Sequence, residues 1–402
     1  MNQEVLGTQA ATLSKARIRL CMTLLIVMGF SLGCSEYIVL GIETELSQSL
    51  SVSLSAVGQL VSLFALPYAI MTPTLALTTG RFKRYSLLKV YCAVFAIGNL
   101  ISAMATSFGV LVASRIAMGA VAGATLALCT TYIPELVGSK RMGLWISIVY
   151  AAYAVAMIIA TALGKIIADA LDWHVAMWAT FALALVASGL LLAFMPKTGK
   201  TDEPATFREQ VVLLKEPCVF FGIFIFVFAV GAVYVFYGYV TPYLEQILGM
   251  DTMAASSTLL VFGGICLISN FVAGWVDTRF GMPAVPAIFV LLAIALSGIT
   301  LANGAMPVSL LFVFAVALLM YSFSIACITL FMRIAETRHP KAMTLATSIE
   351  PFSFNIGISF GSAAGGVVIA NASILYTGIV GAVFALIATV LAIAVIRLSK
   401  QV

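Results

Sequence analysis

Long uncharged stretches recur along the whole chain, separated by short segments that carry most of the charged residues. Each stretch has about 20 residues, the length a helix needs at about 1.5 Å per residue to cross a ~30 Å hydrocarbon core. The pattern predicts twelve membrane-spanning helices, numbered span one to span twelve, at roughly 20–42, 54–78, 88–105, 109–134, 143–166, 175–195, 217–243, 253–276, 282–302, 307–331, 344–369 and 374–396.

The composition supports the same fold class. Of the 402 residues, 62% are hydrophobic and only 9% are charged, whereas soluble domains carry about 25% charged residues. We therefore predict an all-α integral membrane protein. The seven cysteines lie in or beside apolar stretches without a C-x-x-C pair, so we expect neither a disulfide nor a metal site.

The positions of the basic residues predict how the chain is oriented. If the N-terminus is cytosolic, all of the 21 Lys and Arg residues except Arg115 and Lys165 fall on the cytosolic side. Cytosolic loops are enriched in Lys and Arg, so both termini are predicted to be cytosolic in a multi-pass protein of the cell (inner) membrane. The net charge of +5 is then a topology signal, and we expect the lipid bilayer, with no nucleic acid, as partner.

The longest polar segment divides the chain into two halves. It predicts a six-helix half at 1–195, a cytosolic linker at 196–216 and a second six-helix half at 217–402. Spans five and eleven share a row of small residues four apart, which allows close helix packing in lipid. The two rows are offset by 201 residues and indicate an internal repeat of the kind found in secondary transporters; they are Ala156, Ala160 and Gly164, and Gly357, Gly361 and Gly365.

Three charged residues lie at membrane depth, where an ionised group is expensive and usually functional. Glu36 in span one is about six residues, or ~10 Å, from the outer side, and Arg115 in span four is about six to eight residues from it, near the same level. A Glu36–Arg115 pair is therefore expected if these spans face each other, either as a structural pair or as a switch for proton binding at Glu36. Glu350 in span eleven lies about as far from the inner side, next to Pro351.

Uncharged polar and hydroxyl-bearing aromatic residues are candidates for the wall of a cavity between the spans. Pro351 lacks a backbone N–H, and irregular backbone at depth is tolerated only inside protein or beside water. The alternative for Glu350 is a carboxylate that reaches the interface, and the alternative for the aromatic residues is a lipid-facing belt. The cavity candidates are Tyr37, Tyr150, Tyr153, Tyr237 and Asn355.

Four segments together resemble a known family over nearly the whole chain. They are Ser35-Glu36-Tyr37 in span one, Gly80-Arg81-Phe82-Lys83-Arg84 with its second copy around Asp277 and Arg279, Arg115 with Gly119 and Gly123, and Ala156-x-x-x-Ala160-Thr161-x-x-Gly164. The chain resembles the major facilitator superfamily, in its drug:proton antiporter branch with the bacterial arabinose-efflux-permease-like exporters. The resemblance implies two six-helix halves, alternating access, and gating and helix-packing roles for the basic loops and small-residue rows.

The motifs of other mechanisms are missing from the sequence. It has neither a Gly-rich phosphate loop nor a hydrolase signature, so we expect no enzyme, no catalytic residues and no cofactor. We expect a proton-driven exporter of a small organic solute, such as a drug, sugar, nucleoside, amino-acid derivative or metal chelator, that functions as a monomer. Glu36, Glu350 and Arg115 would bind protons and substrate. The alternatives are an importer, a channel and a membrane receptor.

Overall fold

The computed structural model describes residues 14–79, 82–137, 139–197, 211–302, 304–339 and 342–399. Within these ranges twelve helical segments are long and apolar enough to cross a membrane, which confirms the predicted fold class. Their bounds are Lys15–Gly41, Leu54–Thr79, Arg84–Ala103, Phe108–Val137, Ser139–Ala170, Trp173–Phe194, Pro217–Tyr237, Thr252–Arg279, Val285–Leu301, Met306–Leu319 with Ser324–Arg338, Met343–Asn371 and Thr377–Ser399.

Local chemistry fixes where several of these helices begin. The side chain of Asp172 accepts a hydrogen bond from the His174 N–H at 2.7 Å and so caps span six. Asp251 caps span eight in the same way, through the Ala254 N–H. These caps satisfy backbone donors that the first turn of a helix leaves unpaired. The predicted linker at 196–216 falls largely on 198–210, outside the described residues, and a short 3-10 turn, Val212–Lys215, precedes span seven.

The two small-residue rows lie at equivalent helix contacts. In the first half, span five packs on span one, where an added Cβ at Gly33 would lie 2.6 Å from the Tyr153 carbonyl oxygen. In the second half, span eleven packs on span seven, where a Cβ at Gly361 would collide with the backbone of Gly231. Backbones approach this closely only where side chains are small.

The halves meet at the end of the bundle opposite the described chain ends, where span one ends and span two begins; we call this the distal end. Here the Thr241 hydroxyl donates to the Leu40 carbonyl, and the Thr44 hydroxyl donates to Glu245 at 2.6 Å. Both pairs are separated by 201 residues, the offset between the small-residue rows. Each bond therefore joins a residue of the first half to the equivalent residue of the second half. Such contacts are expected beside a pseudo-twofold axis that relates two repeats, so the two halves are arranged almost symmetrically at the distal end.

Spans seven and ten are interrupted, although both were predicted to be continuous helices. Span seven was expected to be continuous over 217–243, but its helix ends at Tyr237 and resumes as the short helix Val240–Pro242 and the π turn Tyr243–Ile247. Span ten is non-helical at residues 320–323, where the Tyr321 N–H donates to the Ser269 hydroxyl at 2.9 Å. Non-helical backbone at membrane depth is tolerated where it is buried in protein or lines a cavity.

Candidate functional site

Glu36 lies in the middle of the bundle and is only 3% exposed. Its Oε2 atom accepts a hydrogen bond from the Tyr153 hydroxyl of span five. Within the described part of the chain, the carboxylate forms no ion pair with Lys, Arg or His. Glu36 is therefore a buried acid that accepts a hydrogen bond from a neutral donor and has no direct ion pair among the described residues, although Arg115 interacts with it electrostatically.

Arg115 is close to Glu36, but its hydrogen bonds go to backbone carbonyls. Its guanidinium donates to the carbonyl oxygens of Ser35, Glu36 and Leu60, at 2.7 Å for Glu36 and 3.4 Å for Leu60. It also lies over the Phe64 ring, 4.5 Å from the centroid. Glu36 and Arg115 interact electrostatically, but they form no direct carboxylate–guanidinium ion pair in this conformation, because the Arg115 donors are directed at the main chain of spans one and two.

Glu350 of span eleven lies in the opposite half and is partly exposed. It forms no hydrogen bond or ion pair with any residue that the structure describes. Both Tyr68 of span two and Tyr321 of span ten interact electrostatically with Glu36 and with Glu350. The two acids therefore flank one shared space between the halves, and the alternative in which Glu350 is a helix-end group facing the interface does not fit this placement.

Tyrosine side chains from both halves line the same space. Tyr37 and Tyr153 pack edge to face with ring centroids 6.1 Å apart, and Tyr234 and Tyr237 do so at 5.5 Å. The Tyr37 hydroxyl interacts electrostatically with Tyr321 and Tyr237. We call these five tyrosines the tyrosine cluster: Tyr37, Tyr153, Tyr234, Tyr237 and Tyr321.

The other predicted cavity residues lie near this cluster. Tyr150 interacts electrostatically with Glu350 across the two halves, and its side chain is 44% exposed. The Tyr150 side chain therefore borders an open space between the halves at that level. Asn355 donates to the Pro351 carbonyl at 3.0 Å, while its own Oδ1 is buried without a hydrogen-bond partner among the described residues.

The predicted gating residues lie away from the acids. Gly80 and Arg81 fall outside the described residues. Arg84 pairs with Glu135 at the end of span four, 2.7 Å apart. Asp277 accepts a hydrogen bond from Thr329 of span ten at 3.1 Å, whereas Arg279 is exposed. These contacts join helices within each half at the end that carries the termini.

The distal end contains an ion-pair network that was not predicted from the sequence. Lys165 of span five, left unexplained by the charge distribution, pairs with both Glu45 of the first half and Glu245 of the second. Burial raises the pKa of Glu45, and the ion pair with Lys165 opposes that rise. Lys165 is 3% exposed in its side chain, so a buried cation holds the two halves together.

Tyr68 and Tyr321 were also missed as residues of the central space. A signal was present for Tyr321, since the sequence Tyr321-Ser322-Phe323-Ser324 places polar residues in an apolar span. The sequence contains no such signal for Tyr68, because a single aromatic residue in a membrane span more often packs against other helices or faces lipid than lines a cavity.

A sequence model of the Major Facilitator Superfamily matches residues 25–349. Two curated relatives come from Bacillus subtilis (strain 168). The uncharacterized MFS-type transporter YbcL is 29% identical over 92% of this chain and 94% of its own length. The uncharacterized MFS-type transporter YtbD is 25% identical over 91% of this chain and 93% of its own length.

Solved structures of low sequence identity share the fold. A bacterial homologue of the human lysosomal transporter Spinster, in an inward-facing and unoccupied conformation, has a TM-score of 0.81 at 15% identity, covering 96% of this chain and 98% of that one. A D-xylose–proton symporter has a TM-score of 0.72 at 19% identity, covering 94% and 97%.

Proposed function

Because the chain belongs to the major facilitator superfamily, we propose that this secondary transporter exports a small organic solute with a cationic or zwitterionic part in exchange for protons. Membership of this family makes the chain a multi-pass membrane carrier that works by alternating access and has no enzymatic activity. The direction of transport, the coupling to protons, the substrate class and the place within the drug:proton antiporter branch are our proposals.

One observation carries the proposal: Glu36 is buried among hydroxyl-bearing aromatics and forms no direct ion pair with a basic side chain among the described residues. A buried carboxylate is stable only if it is neutral or if a positive charge compensates it. With Arg115 bonded mainly to backbone carbonyls, a proton or a cationic group of the substrate can occupy this place. Two species that compete for one carboxylate are exchanged when the site is exposed alternately to the two sides.

The surroundings of Glu36 fit a substrate with positive charge. Aromatic faces attract cations by about 0.5–2 kcal/mol each, more when water is excluded. The tyrosine cluster presents such faces together with hydroxyl groups, and Glu350 supplies a second acid on the other side of the space. The cluster would therefore bind the apolar and cationic parts of a substrate between Glu36 and Glu350.

The conformation agrees with an exporter that is ready to load from the cytosol. The halves are joined at the distal end by Lys165 and by the Thr44–Glu245 hydrogen bond. With cytosolic termini, as the charge distribution predicts, the distal end is the outer side. The central acids would then be accessible only from the cytosol.

A proteoliposome assay with an imposed pH gradient tests this proposal. The assay follows ethidium and a panel of drugs and metabolites, with a pH-sensitive dye reporting protons. We expect wild-type protein to move a substrate against the direction of proton flow, and Glu36→Gln to lose proton movement. The matched control is Glu336→Gln, which alters an exposed acid at the end of span ten and should transport like wild type.

Two outcomes would contradict the proposal. Unchanged proton coupling in Glu36→Gln would remove Glu36 from the mechanism. Substrate and protons moving in the same direction would identify an importer.

A further inference from the structure

Among the acids that the structure describes, Glu43 is the most fully buried one that the central site does not use. It begins the short helix Glu43–Leu50, which follows span one at the distal end. The residue is 0% exposed. Both of its carboxylate oxygens are buried, and neither has a hydrogen-bond partner among the described residues.

The charges around Glu43 do not compensate a negative charge there. Glu245 is bonded by Lys165 and by the Thr44 hydroxyl, and Glu45 is bonded by Lys165. Three acids therefore share one lysine, and Glu43 is the acid without a bond to it. The groups that face this region from the elements packed against it are Glu45 on the same helix, Glu245 on the π turn, Tyr237 and Tyr239 of span seven, and Lys165 of span five.

Burial, together with the nearby Glu245 and Glu45 carboxylates, holds the pKa of Glu43 well above its usual range. An uncompensated carboxylate in this position would be strongly unfavourable, so the closed distal end requires a neutral Glu43. Opening of the distal end would separate the π turn from the short helix and bring water to Glu43. The carboxyl group could then release its proton to that side.

We propose that Glu43 is a proton-binding site of the distal gate, separate from Glu36 and Glu350, and that the gate closes only when Glu43 is protonated. A proton is the ligand that fits, because both oxygens of the Glu43 carboxyl group are buried without a hydrogen-bond partner among the described residues and leave no exposed surface. Closure would thus sense the pH on the distal side, whatever the substrate.

The proposal rests on the proposed function only in assuming that the transporter works in a proton gradient. One proton taken up on closure changes the ratio of closed to open molecules by up to about tenfold per pH unit. The sign follows from linkage. The closed state binds the proton more tightly, so closure is favoured at acidic pH and is lost as the pH rises above the usual range of a hydrated carboxyl group.

The test measures the width of the distal gate in full-length protein without substrate. Spin labels are attached through Gln48→Cys and Met253→Cys, two exposed positions in opposite halves, after the seven buried native cysteines are replaced by alanine. Distances between the labels are recorded from mildly acidic to mildly alkaline pH. We expect the long-distance population to grow with pH, and Glu43→Gln to keep the short distance at every pH.

Matched variants assign the response to Glu43. Glu336→Gln should retain the pH response of wild type. Glu45→Gln should retain it as well, with more open molecules, because it loses a bond to Lys165 and keeps Glu43.

Several results would overturn the proposal. They are a pH response that persists in Glu43→Gln, a response lost equally in Glu45→Gln, and a response that follows Na⁺ concentration at constant pH. A wild-type distance that does not change with pH would overturn it even if Glu43→Gln failed to fold. Because no substrate is present, loss of exchange in the proteoliposome assay leaves this measurement intact, so the two failures are distinguishable.

Discussion

At the scale of single residues, Arg115 links two helices through hydrogen bonds to their backbone carbonyls. Its planar guanidinium reaches carbonyls of spans one and two together, and lysine has no comparable fork of donors. Arg115→Lys should therefore keep the charge and lose part of the hydrogen bonding, at a cost of about 1.5–3 kcal/mol in stability. A lower thermal unfolding temperature in detergent would reveal this loss. The control is Arg333→Lys at an exposed position, and equal unfolding temperatures for both variants would contradict the assignment.

Tyr153 donates the hydrogen bond that Glu36 receives, which leads to a second prediction at this scale. Tyr153→Phe removes that donor and keeps the ring that packs on Tyr37. A hydrogen bond to a charged group contributes about 1.5–3 kcal/mol, so we expect proton-coupled exchange to fall by about tenfold or more. Tyr376→Phe is the control, since Tyr376 is 52% exposed and lies in the short turn before span twelve, outside the central space. Similar exchange rates in the two variants would show that the Tyr153 hydroxyl is not used.

At the scale of elements, the small-residue rows lead to a prediction about stability. Gly361→Ala would push a Cβ into the backbone of Gly231, and backbone cannot move aside as a flexible side chain can. Overpacking of this kind costs about 1–3 kcal/mol. Gly264→Ala is the matched control within span eight, because a Cβ there meets nothing within 4 Å and alanine favours helix by about 1 kcal/mol. The two variants should shift the thermal unfolding temperature in opposite directions, and a shift in the same direction would contradict the packing argument.

The elements also show which features could be predicted from the sequence. The twelve spans follow from uncharged runs because lipid requires every backbone group to be satisfied within the helix. Glu36 and Glu350 could be found as acids in apolar runs. The breaks at Gly238 and Tyr321 could not, because contacts with other spans compensate them. The ion pairs of Lys165 could not be predicted for a related reason. Glu45 and Glu245 lie 120 and 80 residues from Lys165 in the chain, and the distribution of charges along a sequence does not show which distant residues come into contact.

At the scale of the whole molecule, we expect Lys165, which is buried at the distal end and pairs with acids of both halves, to control which side is open. Lys165→Gln removes the cation that joins Glu45 and Glu245 and leaves three acids close together. Their repulsion should open the distal end, so the distance between labels at positions 48 and 253 should lengthen at neutral pH. Without the lysine, only a backbone hydrogen bond opposes the effect of burial on Glu45, so the pKa of Glu45 in the closed state rises further.

The closed state of Lys165→Gln would then bind protons more tightly than the open state, and acidic pH should restore closure. The expected result is a variant that is open at neutral pH and closed at acidic pH. Lys197→Gln, which alters an exposed lysine after span six, should behave as wild type. A Lys165→Gln variant that remains closed at neutral pH would show that the hydrogen bonds of Thr44 and Thr241 close the distal end without the ion pairs.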